Sequence, residues 1–234
     1  MSIIAIITAR GGSKRIPRKN IKEFMGKPML AYAIEAVLNS GIFDEVMVST
    51  DDEEIADISR KYGAKIPFMR SDKTSNDFAT TIDVLTEVLT EYEKQEQHYD
   101  NFCCVYPCVP FLTGEILKNA CDKFKSSNAD SLMPCVKYSF PIQRAVRINA
   151  EGFLEFREKE NSQKRSQDLE PMYHDVGKLS RPMFFVENQS FYGIDNPHNS
   201  CTPRFSKMLI TAHPKDGVEL AKEYHLPAII SNFI

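Results

Sequence analysis

Residues 3–22 contain an apolar run, a pair of glycines and a basic loop, and they read Ile-Ile-Ala-Ile-Ile-Thr-Ala-Arg-Gly-Gly-Ser-Lys-Arg-Ile-Pro-Arg-Lys-Asn-Ile-Lys. The apolar run over residues 3–7 predicts a buried strand. Gly11 and Gly12 allow the chain to turn sharply and to approach a ligand closely, because they lack a Cβ atom. Backbone N–H groups in such a turn form an anion-binding concavity, and cationic side chains strengthen the attraction. The stretch therefore predicts a site for a polyphosphate.

Segment 9–22, the basic loop, carries six cationic residues and no acidic one: Arg10, Lys14, Arg15, Arg18, Lys19 and Lys22. Two alternatives are a solvated surface and a nonspecific nucleic-acid patch. The whole chain is slightly acidic, with 29 Lys and Arg against 32 Asp and Glu, so it has no general basic surface. The loop also lacks the Gly-x-x-x-x-Gly-Lys-Ser/Thr and Gly-x-Gly-x-x-Gly motifs. We therefore expect another kind of nucleotide-phosphate site, and no nucleic-acid partner.

The composition is that of an ordinary globular protein. The chain has 234 residues, of which 42% are hydrophobic and 26% are charged, and we expect a single domain over residues 1–234. The apolar start at residues 2–8 is too short for a signal peptide or a membrane span, which predicts a cytoplasmic protein with no membrane partner. The six cysteines form no Cys-x-x-Cys pair, so we expect reduced thiols in the core.

Predicted strands and helices alternate along the first 137 residues. Strands are expected at residues 3–7, 46–49, 66–68, 102–106 and 131–133, and helices at residues 29–38, 52–62, 80–95 and 113–125. This alternation predicts an α/β fold with a Rossmann-like, mostly parallel sheet and helices on both faces. Ligands bind at the carboxyl ends of the strands in such a sheet. The basic loop and segments 49–52, 70–77 and 106–110 follow strand ends, so we expect them to converge on one cleft.

Residues 138–170 depart from this pattern. They hold scattered apolar residues and a very polar stretch at 157–167. We interpret this segment as a β arm that protrudes from the main sheet and contributes to dimerisation.

Several motifs agree in order with one known family. Residues 9–20, 48–56, 62–70 and 75–78 resemble the acylneuraminate cytidylyltransferases. Within that family, residues 141–145, 165–169 and 173–175 resemble the branch that acts on pseudaminic acid. The resemblance extends over residues 3–177 and implies a sheet of the nucleotide-diphospho-sugar transferase type.

The resemblance implies an enzyme that joins CTP to a nine-carbon acidic 2-keto sugar and releases pyrophosphate. The anomeric hydroxyl would attack the α-phosphorus in line, and Mg²⁺ would offset charge on the triphosphate. Such catalysis consists mostly of positioning and charge stabilisation. A homodimer is also implied. Two alternatives are the same transfer to legionaminic or N-acetylneuraminic acid, and a catalytically silent homologue that binds CTP.

The resemblance also implies roles for individual residues of this sequence. The catalytic cations that hold the phosphates would be Arg10, Lys14 and Lys19. The rest of the nucleotide site would be Gly11, Gly12, Ser13, Asn20, Arg70, Asp77, Thr80 and Thr81. The acceptor site would be Tyr106, Gln143, Arg144, Arg165, Gln167, His174 and Asp175. An arginine suits the sugar carboxylate because its guanidinium donates two parallel hydrogen bonds.

Plainer interpretations exist for some of these residues. Arg165 and Gln167 lie in a charged stretch that can simply be solvated. His174 and Asp175 can form a structural hydrogen-bonded pair or a proton relay. The acids at positions 51 and 52 are best interpreted as helix-capping residues.

The sequence departs from the family after Gly177. The family continues with Gln-Phe-Tyr-Trp, whereas residues 178–181 read Lys-Leu-Ser-Arg and the chain has no tryptophan. The family's Asp-x-Asp metal pair is replaced by Ile210 and Ala212, which have no oxygen ligand for Mg²⁺. The metal ligands are thus unassigned, with Asp175, Asp195 and Asp216 as candidates. Three explanations stay open: a shifted metal site, a relative without turnover, and an altered sequence between residues 178 and 213.

Overall fold

The computed structural model describes residues 1–13, 16–127, 129–175, 183–187 and 208–212. The first half contains β1 (Ile3–Thr8), β2 (Glu23–Phe24), β3 (Lys27–Pro28), α1 (Met29–Ser40), β4 (Glu45–Ser49), α2 (Glu53–Lys61), α3 (Asp72–Ser75), α4 (Thr81–Lys94), β5 (Asn101–Val105) and α5 (Gly114–Lys125). The second half contains β6 (Ser131–Lys137), β7 (Val146–Ile148), β8 (Leu154–Phe156), β9 (Tyr173–Asp175), β10 (Met183–Glu187) and β11 (Met208–Ala212).

Within the described residues, seven strands form the central sheet, in the order β11-β6-β10-β5-β1-β4, with β9 beside β6. Strand β1 pairs in parallel with β4 and β5, and β11 pairs in parallel with β6. Strand β10 lies antiparallel between β5 and β6, and β9 is antiparallel to β6. The other five strands run in one direction, which confirms the predicted mostly parallel sheet.

Helices cover both faces of this sheet because residues of β1 alternate between two apolar clusters. Ala5 and Ile7 pack in the cluster that includes residues of α1, α2 and α5. Ile4 and Ile6 pack in the second cluster, which includes residues of α4. Side chains of a strand point alternately to its two sides, so a continuous apolar run indicates a strand buried on both faces. The predicted helices on both faces are confirmed.

Local signals place the helix ends within about two residues of the expected positions. Thr80 begins α4 with a capping box, in which its side chain accepts from the Asp83 N–H and the Asp83 side chain accepts from the Thr80 N–H. Gly41 ends α1 in the left-handed conformation, with φ 63°.

The predicted strand at residues 66–68 is wrong: only an isolated bridge joins Lys65 to Met47. Pro67 has no N–H to donate and does not extend this pairing.

Residues 138–170 hold a small antiparallel hairpin, in which β7 pairs with β8 as a sheet separate from the central one. Single turns of 3-10 helix lie at Ile142–Arg144, Lys159–Asn161 and Ser166–Asp168. Apolar side chains of the hairpin are exposed: Val146, Ile148 and Leu154. A separate β hairpin is therefore present in this segment, and its role as a protruding dimerisation arm stays a prediction.

The five described cysteines are free thiols, and four of them are buried: Cys103, Cys104, Cys121 and Cys135. Burial raises the pKa of the Cys103 thiol well above its usual range. These residues act as small core hydrophobes, as expected. In the described part of the chain, no helix has the length and apolarity needed to cross a membrane.

Candidate functional site

A cavity of about 380 Å³ lies at the carboxyl ends of β1 and β5. Its walls come from the basic loop, from segment 70–81 and from the residues after β5. Eight of the predicted site residues line it: Arg10, Lys19, Asn20, Arg70, Asp77, Thr80, Thr81 and Tyr106. The predicted convergence of these loops on one cleft is therefore confirmed for three of the four segments.

Arg10 crosses from the basic loop to the opposite wall of the cavity. Its Nη1 donates to the backbone oxygen of Asn76 at 2.8 Å, and its Nη2 donates to Asp77 Oδ1 at 2.9 Å. Asn76 in turn fixes its own turn, because its Oδ1 accepts from the N–H groups of Phe78 and Ala79. The guanidinium is thus held in one orientation at the edge of the cavity, where a fixed cation favours an anionic ligand.

Asn20 joins the two ends of the basic loop. Its side-chain Nδ2 donates to the backbone oxygen of Arg10 at 2.8 Å. Its Oδ1 accepts from the Cys108 thiol at 3.4 Å. Burial raises the pKa of that thiol to about 11, so Cys108 is a neutral donor at physiological pH. Asn20 is itself buried, and these contacts fix the geometry of the loop from inside.

Arg70 is a buried cation in the wall of the cavity. Its Nε donates to Ser49 Oγ at 3.0 Å, and its Nη2 donates to the Ser49 backbone oxygen at 2.6 Å. Burial lowers the pKa of the Arg70 guanidinium, while the charges of Asp51 and Glu87 oppose this effect. Ser49 at the end of β4 therefore holds Arg70 in place, although Ser49 itself does not line the cavity.

Lys19 also lines the cavity, and its ammonium has no hydrogen bond or ion pair with any other residue in the described ranges. On the other side, the Tyr106 hydroxyl lies 3.4 Å from Thr81 Oγ1. An ammonium without a partner among the described residues, in the same cavity as two fixed guanidinium groups, suits a polyanion that enters the cavity.

Gly11 contacts the turn between β4 and α2. Its N–H donates to Asp51 Oδ1 at 2.9 Å, so this predicted phosphate donor has a protein acceptor in the structure. Asp52 caps α2, because its Oδ1 accepts from the Ile55 N–H at 3.0 Å. The capping interpretation is confirmed for Asp52 and is wrong for Asp51, whose carboxylate is directed to the basic loop. Gly12 and Ser13 do not line the cavity, and Lys14 lies outside the described residues.

Most predicted acceptor residues lie in the arm and away from the cavity lining. Gln143 donates to the Glu170 backbone oxygen at 2.8 Å, and Arg144 donates to Ser166 Oγ at 3.3 Å. Arg165 forms an exposed ion pair with Asp168 at 2.7 Å, and Gln167 is exposed beside it. His174 and Asp175 belong to β9, opposite Val136 and Cys135 of β6. Of the seven predicted acceptor residues, Tyr106 lines the cavity.

The described residues contain no group of three or more His, Cys, Asp or Glu side chains suited to a metal ion. Ile210 and Ala212 lie on β11, in register with Met133 and Cys135 of β6. Asp175 is in register with the same Cys135 from the other side of β6. The remaining candidates, Asp195 and Asp216, lie outside the described residues. Mg²⁺ is usually bound through one or two carboxylates together with substrate phosphates and waters, so its ligands stay unassigned.

Sequence comparison agrees with a cation-lined cavity that suits a polyanion. The sequence model of a family described as cytidylyltransferase matches residues 4–225. This chain belongs to the cytidylyltransferase family. One relative of this cytidylyltransferase is the pseudaminic acid cytidylyltransferase of Campylobacter jejuni subsp. jejuni serotype O:2, which is 46% identical over 203 residues, or 86% of each chain. Another is the CMP-N,N'-diacetyllegionaminic acid synthase of Legionella pneumophila subsp. pneumophila, 32% identical over 82% of this chain and 83% of that protein.

A solved structure also shares the fold. The structure of CMP:2-keto-3-deoxy-manno-octonic acid synthetase complexed with CTP matches with a TM-score of 0.64, over 100% of both chains and with 18% identity. At this identity the likeness concerns the fold alone. It confirms that this cytidylyltransferase has the expected sheet and helix arrangement.

Sequence reasoning missed part of the cavity wall. Thr74, Asn76 and Pro107 line it; their segments were expected at the cleft, but the three residues were not named individually as site residues. All three lie within three residues of an individually predicted site residue, so this proximity along the chain was the available signal. Nothing in the sequence showed that Asn76 presents its backbone oxygen to Arg10, because backbone groups carry no residue-specific pattern.

Proposed function

We propose that this cytidylyltransferase transfers CMP from CTP to the anomeric hydroxyl of pseudaminic acid and releases pyrophosphate. The observation that carries the proposal is the cavity at the strand ends, where Arg10, Lys19 and Arg70 come together. The 46% identity to the pseudaminic acid cytidylyltransferase of Campylobacter jejuni supports the choice of sugar. The lower identity to the legionaminic acid relative, 32%, makes that sugar the second candidate.

In this mechanism the protein positions the triphosphate and stabilises its charge. The anomeric hydroxyl loses its proton to water as its oxygen forms a bond to the α-phosphorus, the bond from that phosphorus to the bridging oxygen breaks, and pyrophosphate leaves with the electron pair. Lys19 and Arg10 would offset the charge that develops on the leaving group. Because Arg10 is already held by Asn76 and Asp77, little reorganisation is needed when the nucleotide binds.

Mg²⁺ is part of the proposal as the ion that neutralises the triphosphate. Its ligands would come from Asp175, Asp195 and Asp216, the candidates named by the sequence. Carboxylate oxygens are among the hard oxygen ligands that this ion prefers.

A second candidate function is CTP binding without turnover. The observation that favours it is the presence of Ile210 and Ala212 on β11, where the family pattern has two acids. The two functions differ in pyrophosphate release, since only turnover produces it. CTP binding is common to both.

The protein is further proposed to act as a homodimer in the cytoplasm. Exposed Val146, Ile148 and Leu154 on the β7–β8 hairpin support an interface there, because clustered apolar side chains on a surface favour protein contacts. The cytoplasmic location follows from the proposed use of CTP as substrate.

The test of the proposed function is a comparison of acceptors. Purified protein is incubated with CTP, Mg²⁺ and, separately, pseudaminic, N,N'-diacetyllegionaminic and N-acetylneuraminic acid, and pyrophosphate release is followed. We expect the highest kcat/KM with pseudaminic acid. A higher kcat/KM with either other sugar would overturn the assignment of the acceptor.

A further inference from the structure

The basic loop is joined to the turn between β4 and α2 at two points. At the first, the Gly11 N–H donates to Asp51 Oδ1 at 2.9 Å. At the second, Arg18 donates to both carboxylate oxygens of Asp52, with 3.0 Å between Nη2 and Oδ1, and it also pairs with Glu54. These two contacts lie on either side of residues 14 and 15, so the turn holds the loop at both ends.

The first contact is possible only because residue 11 is a glycine. A Cβ atom on Gly11 would lie 2.6 Å from Asp52 Oδ2 and 2.9 Å from Asp52 Cβ. The Asp52 side chain cannot easily move away, because it also accepts from the Ile55 N–H at the start of α2. The missing side chain at Gly11 therefore makes room for this turn, whereas no atom of the described residues lies within 4 Å of a Cβ built on Gly12.

We propose that Asp51 and Asp52 are positioning residues that anchor the basic loop, Asp51 through the Gly11 N–H and Asp52 through Arg18, and that Arg18 is therefore an anchor rather than a phosphate ligand. The inference rests on the proposed function, since its consequence is the placement of Arg10 and Lys19 for CTP. It divides the cations of the loop into two kinds. Arg10 and Lys19 line the cavity, and Arg18 does not.

Charge and backbone geometry agree with an anchoring role for Arg18. Its φ of 55° is in the left-handed region, which is unfavourable for a residue with a side chain, so its ion pairs hold an otherwise disfavoured backbone. The hydrogen bond from Arg18 lowers the pKa of Asp52, so the carboxylate is ionised at neutral pH. The same carboxylate lies at the N-terminus of α2, where the helix dipole favours a negative charge.

The experiment compares Arg18→Gln, Asp52→Asn and the double variant by their affinity for CTP. Asparagine keeps the cap of α2 and removes only the charge. We expect each single variant to raise the Kd for CTP about tenfold, as loss of a charge-assisted contact does. The double variant is expected to bind CTP as Arg18→Gln alone does, because Arg18→Gln already removes the contact that Asp52→Asn breaks, together with the ion pair to Glu54. The matched control is Arg60→Gln with Asp57→Asn, an exposed pair on α2 that should leave the Kd unchanged.

A phosphate-binding role for Arg18 would give different Kd values for CTP in the two single variants. If Arg18 were a phosphate ligand, Asp52→Asn would release it, and the Kd for CTP would stay constant or fall while Arg18→Gln raised it. That pattern would overturn the inference.

A second measurement does not need CTP. Hydrogen exchange of the ligand-free protein should become faster over residues 9–22 in Arg18→Gln and in Asp52→Asn, and it should stay constant in the control pair. Unchanged exchange in both would also overturn the inference. Failure of the unsubstituted protein to bind CTP would instead contradict the proposed function, and the exchange result would still decide whether the loop is anchored here.

Discussion

Arg18 and Lys19 are adjacent cations with different surroundings. Arg18 pairs with Asp52 and Glu54, whereas Lys19 lines the cavity and has no ion-pair partner in the described ranges. Sequence alone showed six basic residues in one loop and could not separate these two kinds. The distinction depends on the acids of the turn after β4, which the fold brings to the loop from more than 30 residues away.

At this scale we predict that Lys19→Ala weakens CTP binding while the fold stays intact. The ammonium is partly exposed and has no structural partner in the described residues, so its loss removes only contacts to the ligand. A hydrogen bond to a charged group contributes about 1.5–3 kcal/mol, which corresponds to a rise in Kd of roughly 10- to 100-fold. Isothermal titration calorimetry measures this, with a change of exposed Lys94 to Ala at the end of α4 as the control. A Kd equal to that of the unsubstituted protein would remove Lys19 from the site.

The elements show where sequence patterns suffice and where they do not. Helices α1, α2, α4 and α5 begin and end near the predicted positions, because caps and apolar periodicity are local signals. The predicted strand at 66–68 is wrong because three apolar or extended residues carry little information without knowledge of the partner strand. The hairpin of β2 and β3 was not predicted. Its turn is formed by Met25 and Gly26, which have φ values of 47° and 86°.

Helix α3 is a short element whose position depends on α4. Its first residues are held by Glu87, which accepts from the Ser71 N–H at 2.8 Å, from Ser71 Oγ at 3.1 Å and from the Thr74 hydroxyl. Thr74 lines the cavity, and Asn76 and Asp77 follow α3 directly. Glu87 therefore supports the wall that holds Arg10.

We predict that Glu87→Gln lowers the free energy of unfolding by about 1–2 kcal/mol, because an amide cannot accept all three hydrogen bonds. Urea denaturation measures this change. The control is Glu91→Gln, one turn later on α4, which loses a single ion pair with Lys94 and should cost less than about 0.5 kcal/mol. Equal effects of the two variants would contradict the role given to Glu87.

At the scale of the whole molecule, the sequence indicated the fold class and not the strand order. Alternating helices and strands predicted the parallel part formed by β4, β1 and β5. Strand β10 lies between β5 and β6, although it follows both in sequence. This insertion depends on pairing over long sequence separations, which no local pattern encodes. The proposed acceptor sugar rests on the comparison with known cytidylyltransferases, because residues of the arm that resemble the acceptor site do not line the cavity.

The arm gives a prediction about assembly. Ile148 and Leu154 are directly paired across the β7–β8 hairpin, and each side chain is 72% exposed. If this face forms the proposed homodimer, Ile148→Asp introduces a charge into an apolar interface and should convert dimer to monomer. Sedimentation velocity measures the change, with exposed Glu151→Gln in the hairpin turn as the control. A dimer that persists in Ile148→Asp would place the interface elsewhere.

The most direct test of the central claim is formation of the CMP-sugar from CTP and pseudaminic acid, followed by mass spectrometry together with CTP binding on the same sample. One arm contains Mg²⁺ and the other contains EDTA. We expect CTP binding and CMP-pseudaminic acid in the Mg²⁺ arm, and no product with EDTA. CTP binding without product in either arm would indicate a silent homologue. Absence of CTP binding would contradict the assignment of the cavity formed by Arg10, Lys19 and Arg70.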